Sequence, residues 1–170
     1  GSGALYSCTT GHNNVAVGLN SSVLVTTGTN NTSVGNFAGD AVTTGASNSS
    51  FGSGALGAVT TGSTNVGLGG SAGSAITTGI QNLAVGFNSG HTLTTGSYNC
   101  YIGNLAVGAS NSASSYEIVL GTTNSSLVGK GNSTAFIAPG ATGAAFQGNN
   151  SSTWSTTSDR RIKKNIEDNN

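Results

Sequence analysis

The sequence predicts an all-β repeat rod, a β-solenoid or β-roll or a strand of a triple β-helix, and three observations predict it. A phrase Thr-Thr-Gly-x-x-Asn recurs with its glycines at Gly11, Gly28, Gly45, Gly62, Gly79 and Gly96, a period of 17 residues without a slip. An asparagine follows three residues after each glycine, at Asn14, Asn31, Asn48, Asn65, Asn82 and Asn99. A second glycine follows at seven, at Gly18, Gly35, Gly52, Gly69, Gly86 and Gly103. Self-similarity at a fixed period is the mark of a repeat architecture, in which stacked units bury a core that none could bury alone.

Within a repeat, a large apolar residue stands six positions after the glycine (Val17, Val34, Phe51, Leu68, Val85, Ile102). Another precedes each Thr-Thr pair (Cys8, Val25, Val42, Val59, Ile76, Leu93). Ten positions after the glycine the side chain is always small: Ser21, Ala38, Ala55, Ala72, Ser89 and Ala106. Many of the apolar residues are β-branched, which suits extended chain. Two short strands per repeat, separated by glycine corners, are expected. Helix is disfavoured, because each repeat carries at least two glycines among Thr, Ser and Asn. Gly and Asn are the residues most tolerant of positive φ, so Thr-Thr-Gly-x-x-Asn reads as a turn with two such positions. The Asn column has a backbone role, with side-chain hydrogen bonds along the stack. Each repeat has only two or three large apolar residues, too few for a stable lone roll. A homotrimer sharing one axis is expected.

Residues 1–110 form the rod. Over 111–146 the repeat decays into an irregular β segment, with one further rung, shifted by one residue, at Ile118-Val119-Leu120-Gly121. Strands are expected at Glu117 to Leu120, Leu127-Val128 and Ala135-Phe136-Ile137, and Pro139-Gly140 reads as the turn that ends the run. Residues 147–157 are a polar neck. Residues 158–170 change character: of the ten Lys, Arg, Asp and Glu residues, only Asp40, Glu117 and Lys130 precede residue 158. Ile162 and Ile166, four apart among charges and preceded by Ser158 or Asp159 as N-cap, begin a short amphipathic helix.

Composition narrows the function. Net charge is zero and 6% of residues are charged, which argues against a binder of nucleic-acid backbone. There is no signal peptide and no long apolar run, so no membrane insertion is expected. The chain has no methionine, and Gly1-Ser2-Gly3-Ala4-Leu5 matches Gly52-Ser53-Gly54-Ala55-Leu56 in phase; an internal fragment or processed product is expected. Cys8 and Cys100 lie about five repeats apart, on the order of 25 Å at a rung spacing of ~4.8 Å, too far for a disulfide, and both read as buried small hydrophobes.

Several motifs dissolve into the repeat. Gly67-Leu68-Gly69-Gly70-Ser71-Ala72 matches a dinucleotide-binding glycine pattern, but its glycines fall on the repeat phase and no helix follows. His12 and His91 occupy different repeat positions without acidic or cysteine neighbours, so they read as surface residues rather than metal ligands. No cofactor is implied. The Asn-x-Ser/Thr sequons at Asn20, Asn31, Asn48, Asn124, Asn132 and Asn150 are expected by chance in so polar a chain. Threonine ladders can bind ice, but that use wants Thr-x-Thr on one strand, whereas these threonines are adjacent; an ice-binding solenoid is a minor alternative.

Ser158-Asp159-Arg160-Arg161-Ile162-Lys163-Lys164-Asn165-Ile166 resembles the start of the intramolecular chaperone domain that closes endosialidase-type viral tail spikes and fibres, which reads Ser-Asp-x-Arg-x-Lys-x-Asn-Ile. The repeats before it are similar to those preceding this domain in fibre proteins, and to the head repeats of bacterial trimeric autotransporter adhesins, though with a longer period. The resemblance implies a structural or adhesive segment of a trimeric virion fibre, with a host cell-surface receptor, a glycan among the candidates. A bacterial cell-surface adhesin is the alternative. It also implies self-cleavage at Ser158–Asp159, with Ser158 as nucleophile and Lys163 as base, on this bond alone; the fragment itself is not expected to be an enzyme. Most of the chaperone lies beyond this sequence.

Overall fold

A computed structural model of the chain describes residues 1–109, 113–121, 127–140, 143–148 and 155–156. It is all-β, with no helix among the described residues, and its parallel strands form a β-solenoid of about 7 turns. Six three-residue strands follow the 17-residue period: β1 (Val15–Val17), β2 (Thr32–Val34), β3 (Ser49–Phe51), β4 (Val66–Leu68), β5 (Leu83–Val85) and β6 (Cys100–Ile102). Each pairs in parallel with the next in strict register, Val15 on Thr32, Thr32 on Ser49, and so on to Leu83 on Cys100.

Beyond β6 lie β7 (Ala106–Val107), β8 (Ile118–Gly121), β9 (Leu127–Val128), β10 (Thr134–Gly140), β11 (Gly143–Gly148) and β12 (Ser155–Thr156). The one-residue shift read at Ile118 is real: Cys100 pairs with Ile118, so this one rung is 18 residues long. Strand β10 then adds in parallel to β8, Ala135 on Ile118. The expected turn at Pro139-Gly140 comes slightly later. Both residues belong to β10, and Gly140 pairs with Gly143 of the antiparallel β11. Ser155 and Thr156 of the stretch read as a neck pair with Phe146 and Ala145.

Two strands per repeat were expected; the rod has one. The rest of each rung is a series of tight turns, such as Val25 N–H to Ser22 O (3.3 Å), whose remaining N–H groups reach the next rung, as in Ser22 to Ala38 O (2.9 Å) and Leu24 to Asp40 O (3.1 Å). Left-handed residues at alternate positions, Asn20 and Ser22, Phe37 and Gly39, Leu56 after Gly54, forbid an extended second strand. Only past β6 does this side straighten, where β7 pairs with β9.

The positive-φ corners also differ from expectation. Neither the Thr-Thr-Gly glycine nor the asparagine is left-handed; the residue between them is, at Asn13, Asn30, Ser47, Thr64, Gln81 and Tyr98. The first glycine is needed for close approach instead: a Cβ on Gly28 would stand 2.5 Å from Gly45 O, and one on Gly62 2.5 Å from Gly79 O. The second glycine does carry positive φ, between 124° and 140° from Gly18 to Gly103.

The interior is narrow and fitted by complementary volumes. Val25, Val42, Val59, Ile76 and Leu93 line it, with the predicted small column from Ser21 to Ala106 fully buried opposite. Where Leu56 is large, Gly67 makes room, since a Cβ there would meet Leu56 Cγ at 2.9 Å; where Tyr101 is large, Gly90 does the same. Such matching of large to small keeps a thin core at interior packing density.

Candidate functional site

Three features of the rod carry chemistry: an internal amide ladder, a buried carboxylate at its end, and an outward apolar strip. The Asn column forms the ladder. Asn65 Nδ2 donates to Asn48 Oδ1 (3.2 Å) and to Gly79 O (2.9 Å), while its Oδ1 accepts from the backbone N–H and Nδ2 of Asn82, both at 3.0 Å. The pattern repeats from Asn14 to Asn99, so the expected backbone role with bonds along the stack is what the column does. Asn31 and Asn48 are buried in it, so those two sequons are inaccessible in the folded rod.

The ladder ends at Glu117, where the period lengthens to 18. Its backbone N–H still donates to Asn99 Oδ1 (2.9 Å). The side chain is fully buried. Oε1 accepts from Gly131 N–H (2.7 Å), and Oε2 from the Tyr101 hydroxyl (3.1 Å) and Ala109 N–H (3.4 Å). A carboxylate reaches farther than an amide, and here it ties the longer rung to the chain before and after it. Burial, and then the neighbouring carboxylate charge, push the Tyr101 phenol well above its ordinary range. Nothing in the sequence pattern marked Glu117 beyond its being one of the few charges.

The outward strip corrects two expectations. The apolar column six residues after the glycine does not face the core. In β2, β3, β5 and β6 the middle side chain points in (Ser33, Ser50, Ala84, Tyr101), as Val119 does in β8, and the flanking two are more exposed. Val15, Val17, Phe51, Leu68, Ile102, Ile118 and Ile137 are 38–55% exposed, with Val34, Val66, Leu83 and Val85 half-buried between them. Cys100 lies on this strip, half-buried rather than buried, and burial pushes its thiol up. Cys8 is likewise half-buried, though packed against the core; both thiols are free.

Elsewhere the surface is mostly polar, with exposed apolar side chains at Leu19, Leu24, Phe37, Phe87 and the tyrosines Tyr6, Tyr98 and Tyr116. The first threonine of each pair is tied down, as in Thr43 Oγ1 to Thr60 O (3.2 Å), while the second is exposed from Thr10 to Thr95. His12 is exposed, and His91 Nδ1 lies 2.6 Å from Asn88 O. Burial raises the Asp40 carboxyl above its usual range, opposed by the backbone N–H groups of Asp40 and Ala41. No group of three metal-ligating side chains exists among the described residues, nor any helix long and apolar enough to cross a membrane. The glycine pattern at Gly67 straddles β4 and the turns after it. Ser158, Lys163 and the expected C-terminal helix lie outside the described residues. Comparison with protein families, with curated proteins and with solved structures finds no match.

Proposed function

We propose that this chain is the rod segment of a homotrimeric viral fibre or tail spike, which holds a receptor-binding tip away from the particle or itself contacts host glycans, and which runs into the start of a self-cleaving intramolecular chaperone. The observation that carries the trimeric part is the outward strip. Side chains 38–55% exposed along the sheet leave on the order of 500 Å² of contiguous apolar surface, at the upper end of what a monomer shows to water. The strip rises with the same rung spacing along its whole length, so another copy in register is the surface that matches it best. Three copies around one axis would turn the strip into a second core.

The viral assignment rests on Ser158 to Ile166, whose order matches the chaperone start at every fixed position. A bacterial trimeric adhesin would share the rod and differ downstream, in a coiled-coil stalk and membrane anchor. In the viral reading Lys163 takes the Ser158 hydroxyl proton as Oγ attacks its own peptide carbonyl, with the basic neighbours Arg160, Arg161 and Lys164 lowering the lysine's pKa. The Ser158–Asp159 C–N bond breaks, the proton passes to the departing Asp159 amine, and water hydrolyses the strained Ser158 ester to the carboxylate. The full-length protein tests this. Wild type is expected to split between Ser158 and Asp159, and Ser158→Ala and Lys163→Ala to remain single bands. A wild type that trimerises without splitting, or variants that still split, would contradict it.

A further inference from the structure

The left-handed corner two residues after each Thr-Thr-Gly glycine is filled by polar residues at Asn13, Asn30, Ser47, Thr64 and Gln81, and again at Ser133. Two successive rungs depart from this. Tyr98 (φ 63°) and Tyr116 (φ 59°) hold the same corner, a backbone conformation that bulky side chains rarely adopt and that carries strain. Burial does not compensate, since the two rings are 43% and 61% exposed. They stack on each other instead, with centroids 4.9 Å apart and planes within 2°. Their mounting is rigid: Tyr98 N–H bonds Ile80 O (3.0 Å), Tyr116 N–H bonds Ser97 O (3.1 Å), and Ser133 N–H bonds Ser115 O (3.1 Å).

Parallel rings at rung spacing present their faces along the column. One neighbour in the column is Gln81 and the other is Ser133, whose short side chain is too small to cover the second face of Tyr116. The second face of Tyr116, the more exposed of the two rings, has no aromatic ring stacked on it among the described residues. A ligand continuing the stack must be about one ring thick and apolar on one face. Charge narrows the class further. The described acids and bases are Asp40, Glu117 and Lys130; Glu117 is buried, and Lys130 Nζ sits 4.8 Å over the Phe136 ring. Among the described residues a phosphorylated ligand has no cluster of cations to meet there, whereas a neutral ring with a hydroxylated rim meets an aromatic face and the polar side chains of Asn132 and Ser133.

We infer that the Tyr98–Tyr116 stack is a platform for a neutral pyranose, its C–H face on Tyr116 and its hydroxyls toward Asn132 and Ser133. The inference rests on the attachment reading for its purpose, and it names the ligand class and the place on the rod. Saturation-transfer NMR of the 170-residue chain with the methyl pyranosides of glucose, galactose, mannose and N-acetylglucosamine tests it. At least one sugar is expected to receive saturation on its ring protons, falling five-fold or more in Tyr116→Ser and in Tyr98→Ser/Tyr116→Ser and persisting in Tyr6→Ser. Should the double variant fail to fold by circular dichroism, Tyr116→Leu is measured in its place. No transfer from wild type to any of the four sugars, or equal transfer from the tyrosine variants, would overturn the platform. Light scattering on the same samples separates the two readings: a monomer that binds sugar leaves the platform standing without the trimer, and a trimer that ignores sugar removes the platform alone.

Discussion

Asn65 is bonded on every side of its amide, to the rung before through Asn48 and to the rung after through Asn82 and Gly79. Replacing it by alanine removes the Asn65 partner of Gly79 O and of the Asn82 backbone N–H, and one of the two bonds of Asn82 Nδ2, which keeps its bond to Gly96 O. Each such group costs roughly 1–3 kcal/mol, so Asn65→Ala is expected to lower stability by about 3 kcal/mol in thermal or urea unfolding. Asn14→Ala, at the half-buried end of the ladder, should cost less. Tyr101 gives a pH test. Its folded pKa lies above the unfolded value of about 10. The stability it contributes is therefore fully present below about pH 10 and is lost as pH rises from there toward the folded pKa, by about 1.4 kcal/mol per pH unit. Tyr101→Phe should be less stable at neutral pH, having lost a hydrogen bond to Glu117, yet show a flatter alkaline limb in urea titrations between pH 9 and 11. The Asn column was legible from its period alone. The left-handed residue beside it was not, because five different residue types fill that corner and only the backbone path reveals it.

At the scale of one rung, the same three-residue strand puts a small or fitted side chain into the core and points its two flanking side chains outward, of which the last is a large apolar one in every strand. A sequence reader sees apolar columns but not their sides, because three residues of alternation are compatible with either phase. That is why the column from Val17 to Ile102 read as core, whereas Val25 to Leu93 proved to be core. The missing second strand has a similar cause. Turn residues at alternate positions include Phe37 and Leu56, which carry no turn signature in composition. The strip predicts its own test. Phe51→Asp/Leu68→Asp changes only outward side chains of β3 and β4, so the chain should keep its β-sheet circular dichroism while the assembly falls apart into single chains. In the proposed trimer neighbouring copies would cover Cys100, and its raised pKa already keeps the reactive thiolate scarce. Alkylation of Cys100 should therefore be at least ten-fold faster in the double variant. Equal rates, with the variant still assembled, would place the interface elsewhere.

For the molecule as a whole, the ladders of Asn, Thr and backbone hydrogen bonds all run along one axis, and the thin core runs with them. Stability along the axis is a sum over neighbouring rungs, and the lateral strip is an apolar surface that runs with those rungs along the sheet and is left open. The solenoid was legible because its period is strict from Gly11 to Gly103. Glu117, the 18-residue rung it secures and the β10–β11 hairpin lie where the repeat decays, and there the sequence offers only local cues. The tyrosine stack was hidden as well, because Tyr98 and Tyr116 are 18 residues apart and share a corner only once the longer rung is known. In the proposed trimer two further copies in register bury the strip. Multi-angle light scattering of the 170-residue chain tests this most directly. The trimer predicts a single species at about three times the chain mass of 16.5 kDa, and a well-folded species of 16.5 kDa with the strip left open to water would contradict it.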